Sequence, residues 1–238
     1  MLAKNLLELE KKLTQDFVYQ KISEIVVSKF SKNPLVVEFD PTTLCDLACP
    51  GCISGDLLNN KSLNFTDFNI LNITKQIIDL GVKGVVLIGG GEPLLPKVMG
   101  EVIKLFGENN IHIGITTNGT MINKHIKEIS EYVNWTRVSV DASSDEMFKY
   151  LRPNRGGKSK FKLVIDNMKM LAKSKKAKNM LGFSFLIRTF ADGQATLKTL
   201  ERGFHADLVN TSIISKSNVS EIFSAAKLAK EIGCDYFE

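Results

Sequence analysis

The chain is poor in several of the features that assign a protein to a class at sight. It has no apolar run of the length needed to cross a bilayer. Its first residues, Met1 to Leu13, alternate leucine with lysine and glutamate and so lack the uninterrupted apolar core of a signal peptide. A cytoplasmic location is the expectation that follows. Charge of one sign is also scarce: 31 Lys and Arg stand against 26 Asp and Glu, a net charge of +5 that does not indicate a nucleic-acid partner. The densest basic stretch, Lys158 to Lys178, reads as the solvated face of a helix carrying Phe161, Leu163, Val164, Ile165, Met168 and Leu171. The three histidines, His112, His125 and His205, have no ligand spacing to any cysteine. Four cysteines in a cytoplasmic chain do not make a disulfide framework. Three of them fall within Cys45–Cys52, which points to metal binding.

A 44% hydrophobic content over 238 residues suffices for one large domain, or one domain with a small appendage. Residues 1–33 carry apolar positions at helical spacing and read as a helical appendage, ended by Asn33-Pro34. From residue 34 to 238 strands and helices alternate. Strands are expected at Leu35–Phe39, Gly84–Ile88, Ile111–Thr116, Thr136–Val140, Leu181–Ile187 and from Cys234, the second buried on both faces. Helices are expected between them. Thr66 is a candidate cap, Ser143 with Glu146 and Asn218 with Glu221 have cap-and-third-residue spacing, and Gly233 is a helix stop. Six βα repeats imply a parallel sheet flanked by helices, either doubly wound or rolled into a barrel. The segment 188–217 is far longer than the ~2–6 residues usual in a βα loop. It reads as an insertion, with a short helix at Leu197–Phe204 and a short strand at Ser212–Ile214; a substrate lid and a non-catalytic elaboration are both open.

Cys45-Asp-Leu-Ala-Cys49-Pro-Gly-Cys52 follows the first strand. A structural zinc site needs four ligands, and no second cysteine pair is present. Three thiolates on a four-iron cluster leave one iron with an open position for chemistry. A small zinc loop is the alternative. The second strand ends in Gly89-Gly90-Gly91-Glu92-Pro93. Glycines at a strand end allow close approach, and their carbonyls together with a carboxylate suit an ammonium group better than a phosphate; the lysine and hydroxyl of a P-loop are missing.

C-x3-C-x2-C after the first strand of a βα array resembles the radical S-adenosylmethionine (SAM) superfamily. The resemblance extends over Val36 to Phe237. It implies a partial (β/α)6 barrel of the TIM type, with the cluster on Cys45, Cys49 and Cys52 as metal ligands and catalytic centre. G-G-E-P, with Gly90, Gly91 and Glu92, is similar to the family motif that holds the amino group of SAM. Thr117-Asn118-Gly119 is similar to an element bordering the SAM pocket. Ser139 and Asp141, two apart and expected on one strand face, resemble a pair that contacts the ribose or methionine part; a buried structural hydrogen bond is the competing reading. Arg152 sits where related enzymes place a carboxylate-binding arginine, and a surface arginine is the competing reading. The implied activity is reductive cleavage of SAM on a [4Fe–4S] cluster to a 5′-deoxyadenosyl radical, which takes hydrogen from a substrate the sequence does not name. The implied partner is a one-electron reductant of the flavodoxin or ferredoxin type. A non-catalytic cluster or zinc protein, or a fragment of a larger enzyme, is the alternative. Gly51 stands where most members have an aromatic residue, and Leu181–Phe185 matches the family's strand-five glycine element only loosely. The chain stops in the sixth strand, where many members continue.

Overall fold

A computed structural model describes residues 16–29, 33–188 and 217–238. The expected helix at Leu197–Phe204 and strand at Ser212–Ile214 lie outside these, as does the appendage up to residue 15. Helix α1 spans Asp16–Ser28. The remaining elements alternate except for two helices between β4 and β5: β1 Val36–Phe39, α2 Asp67–Asp79, β2 Gly84–Leu87, α3 Met99–Glu108, β3 His112–Thr117, α4 Ile126–Tyr132, β4 Trp135–Ser139, α5 Asp145–Leu151, α6 Phe161–Ser174, β5 Met180–Ser184, α7 Ile222–Ile232 and β6 Tyr236–Phe237.

All strand pairs are parallel, and the order in the sheet is the order in the chain, β1 to β6. A doubly wound sheet must reverse its strand order at a switch point. Without a reversal, right-handed crossovers place every helix on the same side of the sheet, which then curls around its other face. The fold is a partial (β/α)6 barrel, and among the described residues β6 does not pair with β1.

Alternation along the strands separates the two faces. Val85, Leu87, Ile113, Ile115, Val138, Leu181 and Phe183 are buried with Phe106, Val164, Met168 and Ala229 of the surrounding helices. The inward face is different. Gly84 and Val86 of β2 are only half-buried, so among the described residues this strand is fully covered on one face rather than two. Two inward glycines make room for rings. A Cβ on Gly114 would lie 2.1 Å from the Trp135 ring, and one on Gly182 would lie 2.1 Å from the Tyr236 ring.

Helix starts follow capping chemistry with two corrections. Thr66 caps α2, its hydroxyl accepting from Asn69 N at 3.2 Å. The cap of α5 is Ser144, not Ser143: its hydroxyl accepts from Met147 N. Asn218 caps nothing with its side chain. The lysines of 158–178 are not simply solvated either, since Lys160, Lys162, Lys175 and Lys176 pair with Asp46, Asp166, Asp235 and Glu131.

Candidate functional site

The loop after β1 is held by side chains that satisfy its backbone. Asn64 Oδ1 accepts from Thr42 Oγ1 at 2.8 Å, Thr43 N at 2.9 Å and Thr43 Oγ1 at 3.1 Å. Asn59 Oδ1 accepts from Cys45 N at 3.2 Å. Cys49-Pro50-Gly51-Cys52 closes as a turn, Cys52 N donating to Cys49 O at 3.2 Å, with Gly51 at φ +70°. Proline second and a left-handed residue third is the type II signature, so glycine here is a backbone requirement of this chain's turn. Ala48 N donates to Pro153 O at 2.7 Å, fastening the far side of the loop to the segment after α5.

The glycine loop after β2 lies against this cysteine loop. Gly91 N donates to Thr42 O and Glu92 N to Leu44 O. A Cβ on Gly91 would sit 2.2 Å from Leu44 O, so only glycine permits this approach. Asp40 joins the two strand ends, its carboxylate accepting from Gly90 N at 2.6 Å.

Glu92 is 1% exposed. Its carboxylate accepts from Thr117 Oγ1 at 2.6 Å, Asn118 N at 2.8 Å and Leu94 N at 3.1 Å. Burial outweighs these donors and pushes its pKa up to about 7. Glu92 thus ties the end of β2 to the end of β3, besides facing the cleft.

A cleft of about 190 Å³ opens between these loops. Cys45, Cys49, Cys52, Gly90, Gly91, Glu92, Asn118, Ser139 and Arg152 all line it. Asp141 does not. The strand ends at Ser139, and Asp141 sits at φ +61°, so the alternation that would place both on one face is broken. Its carboxylate instead takes Arg152 Nη2 at 2.6 Å and Nε at 2.8 Å, and accepts from Leu186 N. Asp141 thereby aims Arg152, whose side chain is 16% exposed at the cleft wall. Behind it, Asn218 Nδ2 donates to Asp141 O and Leu186 O, and Glu221 accepts from Ser143 N and the Ser144 hydroxyl. The residues with capping spacing before α7 therefore brace β4 and β5.

Several supporting residues had little sequence signal. Asp46 stands inside the cysteine motif and was open to notice, but its partners Asn118 and Lys160 are distant in the chain. Asp40, between Phe39 and Pro41, and Asn64, between Leu63 and Phe65, belong to none of the motifs.

Two observations bear on what the cleft can hold. Thr116 Oγ1, on its wall, is buried and has no hydrogen-bond partner among the described residues; such a group calls for a ligand or water. The same cleft carries a donor set of three thiols. Burial pushes Cys45 up to about 11, with the charges of Glu92 and Asp46 adding to it, and burial likewise raises Cys49. Both are protonated at neutral pH until a metal displaces the proton. Thiolates suit iron–sulfur clusters, and the residues present fit such a group. Among the described residues, no three His, Cys, Asp or Glu side chains are already gathered as ligands of a single metal ion. No described helix is long and apolar enough to cross a membrane.

Residues 39–200 match the family model of the radical SAM superfamily. A GTP 3′,8-cyclase of Clostridium perfringens is 33% identical over 129 residues, covering 51% of this chain and 39% of the relative. An S-adenosylmethionine-dependent nucleotide dehydratase of Lacinutrix mariniflava is 24% identical over 143 residues, 56% of this chain and 30% of the relative. The chain matches about two fifths or less of the length of these curated relatives. Among solved structures, anSMEcpe with bound AdoMet aligns with a TM-score of 0.57 at 19% identity, over 86% of this chain and 49% of that one. SuiB of Streptococcus suis bound to S-adenosylmethionine aligns at 0.56 and 16% identity, over 99% and 60%. At these identities the structural likeness concerns the fold.

Proposed function

Because the chain belongs to the radical SAM superfamily, we propose that it cleaves SAM reductively at the cleft between its cysteine and glycine loops. The observation that carries this reading is the convergence of Cys45, Cys49 and Cys52 with Gly90, Gly91 and Glu92 on one 190 Å³ cleft at the strand ends, where barrel enzymes build their active sites. Cys45, Cys49 and Cys52 would hold a [4Fe–4S] cluster there, and such a cluster would supply the one-electron chemistry that reductive cleavage of SAM to methionine and a hydrogen-abstracting 5′-deoxyadenosyl radical requires.

The chain's own residues bind, orient and shield. Carbonyls of the glycine loop and the Glu92 carboxylate offer acceptors to the SAM ammonium. Arg152, aimed by Asp141, offers remaining N–H groups to the SAM carboxylate. Ser139 and Thr116 offer hydroxyls to the ribose. Asp141 enters as the residue that orients Arg152 rather than as a direct ribose contact. The same proposal includes an appendage at 1–33, a core at 34–238 with an insertion at about 188–217, a cytoplasmic setting and a flavodoxin- or ferredoxin-type reductant.

Anaerobic reconstitution with iron and sulfide, then reduction with SAM, tests the reading. 5′-Deoxyadenosine is expected from the unchanged chain, and none from Cys45→Ala, Cys49→Ala or Cys52→Ala, which should also fail to assemble the cluster. Normal cleavage by any of the three, or a purified chain that carries zinc and takes up no sulfide, would sink it.

A further inference from the structure

Three side chains, one inside the cysteine motif and two distant from it in sequence, form a chain of contacts ending at a cysteine sulfur. Lys160, just before α6, places Nζ 2.6 Å from Asp46 Oδ2. Asp46 Oδ1 accepts from Asn118 Nδ2 at 2.9 Å. The same nitrogen lies 3.8 Å from Cys45 Sγ, within reach of an N–H···S bond. The amide is oriented from its other end: Asn118 Oδ1 accepts from Thr120 N at 2.9 Å and Thr120 Oγ1 at 2.8 Å. Only the NH2 end is then left to face the sulfur.

The chain of contacts is sheltered. Asn118 is buried, and the Asp46 and Lys160 side chains are 13% and 25% exposed. Burial works against the Asp46 charge, but the Lys160 ammonium and the Asn118 amide outweigh it and hold the carboxyl below its ordinary range. The Asp46 charge also reaches Cys45, whose thiol it helps to push up.

We propose that Lys160 is a positioning residue of the cluster site: through Asp46 it holds the Asn118 amide on the Cys45 sulfur and neutralises the carboxylate beside that ligand, and so raises the cluster's reduction potential. The inference rests on the assignment of Cys45 as a cluster ligand. A reduced cluster carries one more negative charge than an oxidised one. N–H donors to the ligand sulfur and nearby positive charge favour the reduced form, and an unbalanced carboxylate one residue from the ligand opposes it. Nothing in the spacing of the cysteines calls for a lysine 114 residues beyond Asp46; the fold supplies it.

The test uses the full chain, reconstituted anaerobically, with two readouts other than turnover. One is iron and sulfide bound per chain. The other is the midpoint potential, followed by the paramagnetic resonance of the reduced cluster without SAM at about pH 8, above the range in which aspartate titrates. Lys160→Met should bind iron and sulfide like the unchanged chain, and its reduced-to-oxidised ratio at a fixed potential should fall about tenfold, a shift of about 59 mV for a one-electron couple. Lys160→Arg should match the unchanged chain. The double variant Asp46→Asn with Lys160→Met removes both charges and keeps an acceptor for Asn118, so most of the shift should vanish. An unaltered potential in Lys160→Met overturns the proposal. So does a double variant that stays as low as the single one, or lost cluster assembly that the double variant does not restore, since each pattern marks loop distortion and not charge. An unchanged chain that takes up no iron or sulfide overturns the ligand assignment itself, and the proposal with it.

Discussion

Glu92 is a carboxylate kept dry at the junction of two strands, and the consequence is a pH dependence with a definite sign. Its folded pKa of about 7 lies above the ordinary 4.5, so the folded chain retains a proton that the unfolded chain releases. Its contribution to stability is complete below about pH 4.5 and is lost as the pH rises through about 7. Urea midpoints measured across that window should decline for the unchanged chain, and Glu92→Gln should flatten the decline; an identical slope in the variant would place the buried charge elsewhere. SAM binding should respond in the opposite sense, tightening as the pH rises through about 7, because its ammonium group is attracted by the ionised form. Calorimetric titration on either side of pH 7 reads this directly. The cysteines, glycines and Glu92 were legible because each motif is local in sequence. Ser139 and Asp141 do not share a strand face, because β4 ends at Ser139 and Asp141 sits at φ +61°, where period-two alternation no longer holds. The pairing of Asp46 with Lys160 was not legible, because charge complementarity across such a separation leaves no periodic trace.

Elements rather than single contacts decide how the barrel interior is filled. Gly114 on β3 and Trp135 on β4 share one inward space, the ring occupying the volume a side chain on β3 would need. Gly114→Ala should cost roughly 1–3 kcal/mol through overpacking. In a Trp135→Leu background the same change should be nearly neutral, a coupling that a double-mutant cycle on urea midpoints would expose. Additivity of the two changes would show that the ring moves aside freely. The existence and order of the strands and helices followed from apolar periodicity and punctuation by Gly, Pro and capping residues. Their ends followed less well. Ser143, Asn218 and Glu221 have capping chemistry, but the fold recruits them to bonds with Asp141, Leu186 and one another. A side chain competent for a local bond is equally competent for a distant one, and sequence spacing does not choose between them.

At the level of the whole molecule the decisive fact is a parallel sheet in which, among the described residues, β1 and β6 are the edge strands. Its middle strands are flanked on both sides and backed by the helices. Among the described residues β1 pairs on one side only, with Val36 53% exposed, and β6 has two residues. Native-state hydrogen exchange should be slowest at the amides of β3 and β4 and faster at β1 and β6; uniform protection across the sheet would mean that the edges are covered. Barrel or doubly wound sheet was the one architectural choice that strand spacing left open. It was resolved by family resemblance at the sequence level and by strand order in the structure, because topology is a property of pairing partners and periodicity says nothing about partners.

The same strand order has a temporal side. Each strand pairs with the one made just before it, so a growing chain can lay down its sheet as it leaves the ribosome, without holding an early strand exposed while awaiting a late one. Every new pairing needs only the closure of a single βα unit, which keeps contacts short in sequence for a parallel sheet. The cysteine loop meets the Gly89–Pro93 loop at the end of β2, so these two walls of the cleft can meet before Arg152 and the Asn218 brace are made.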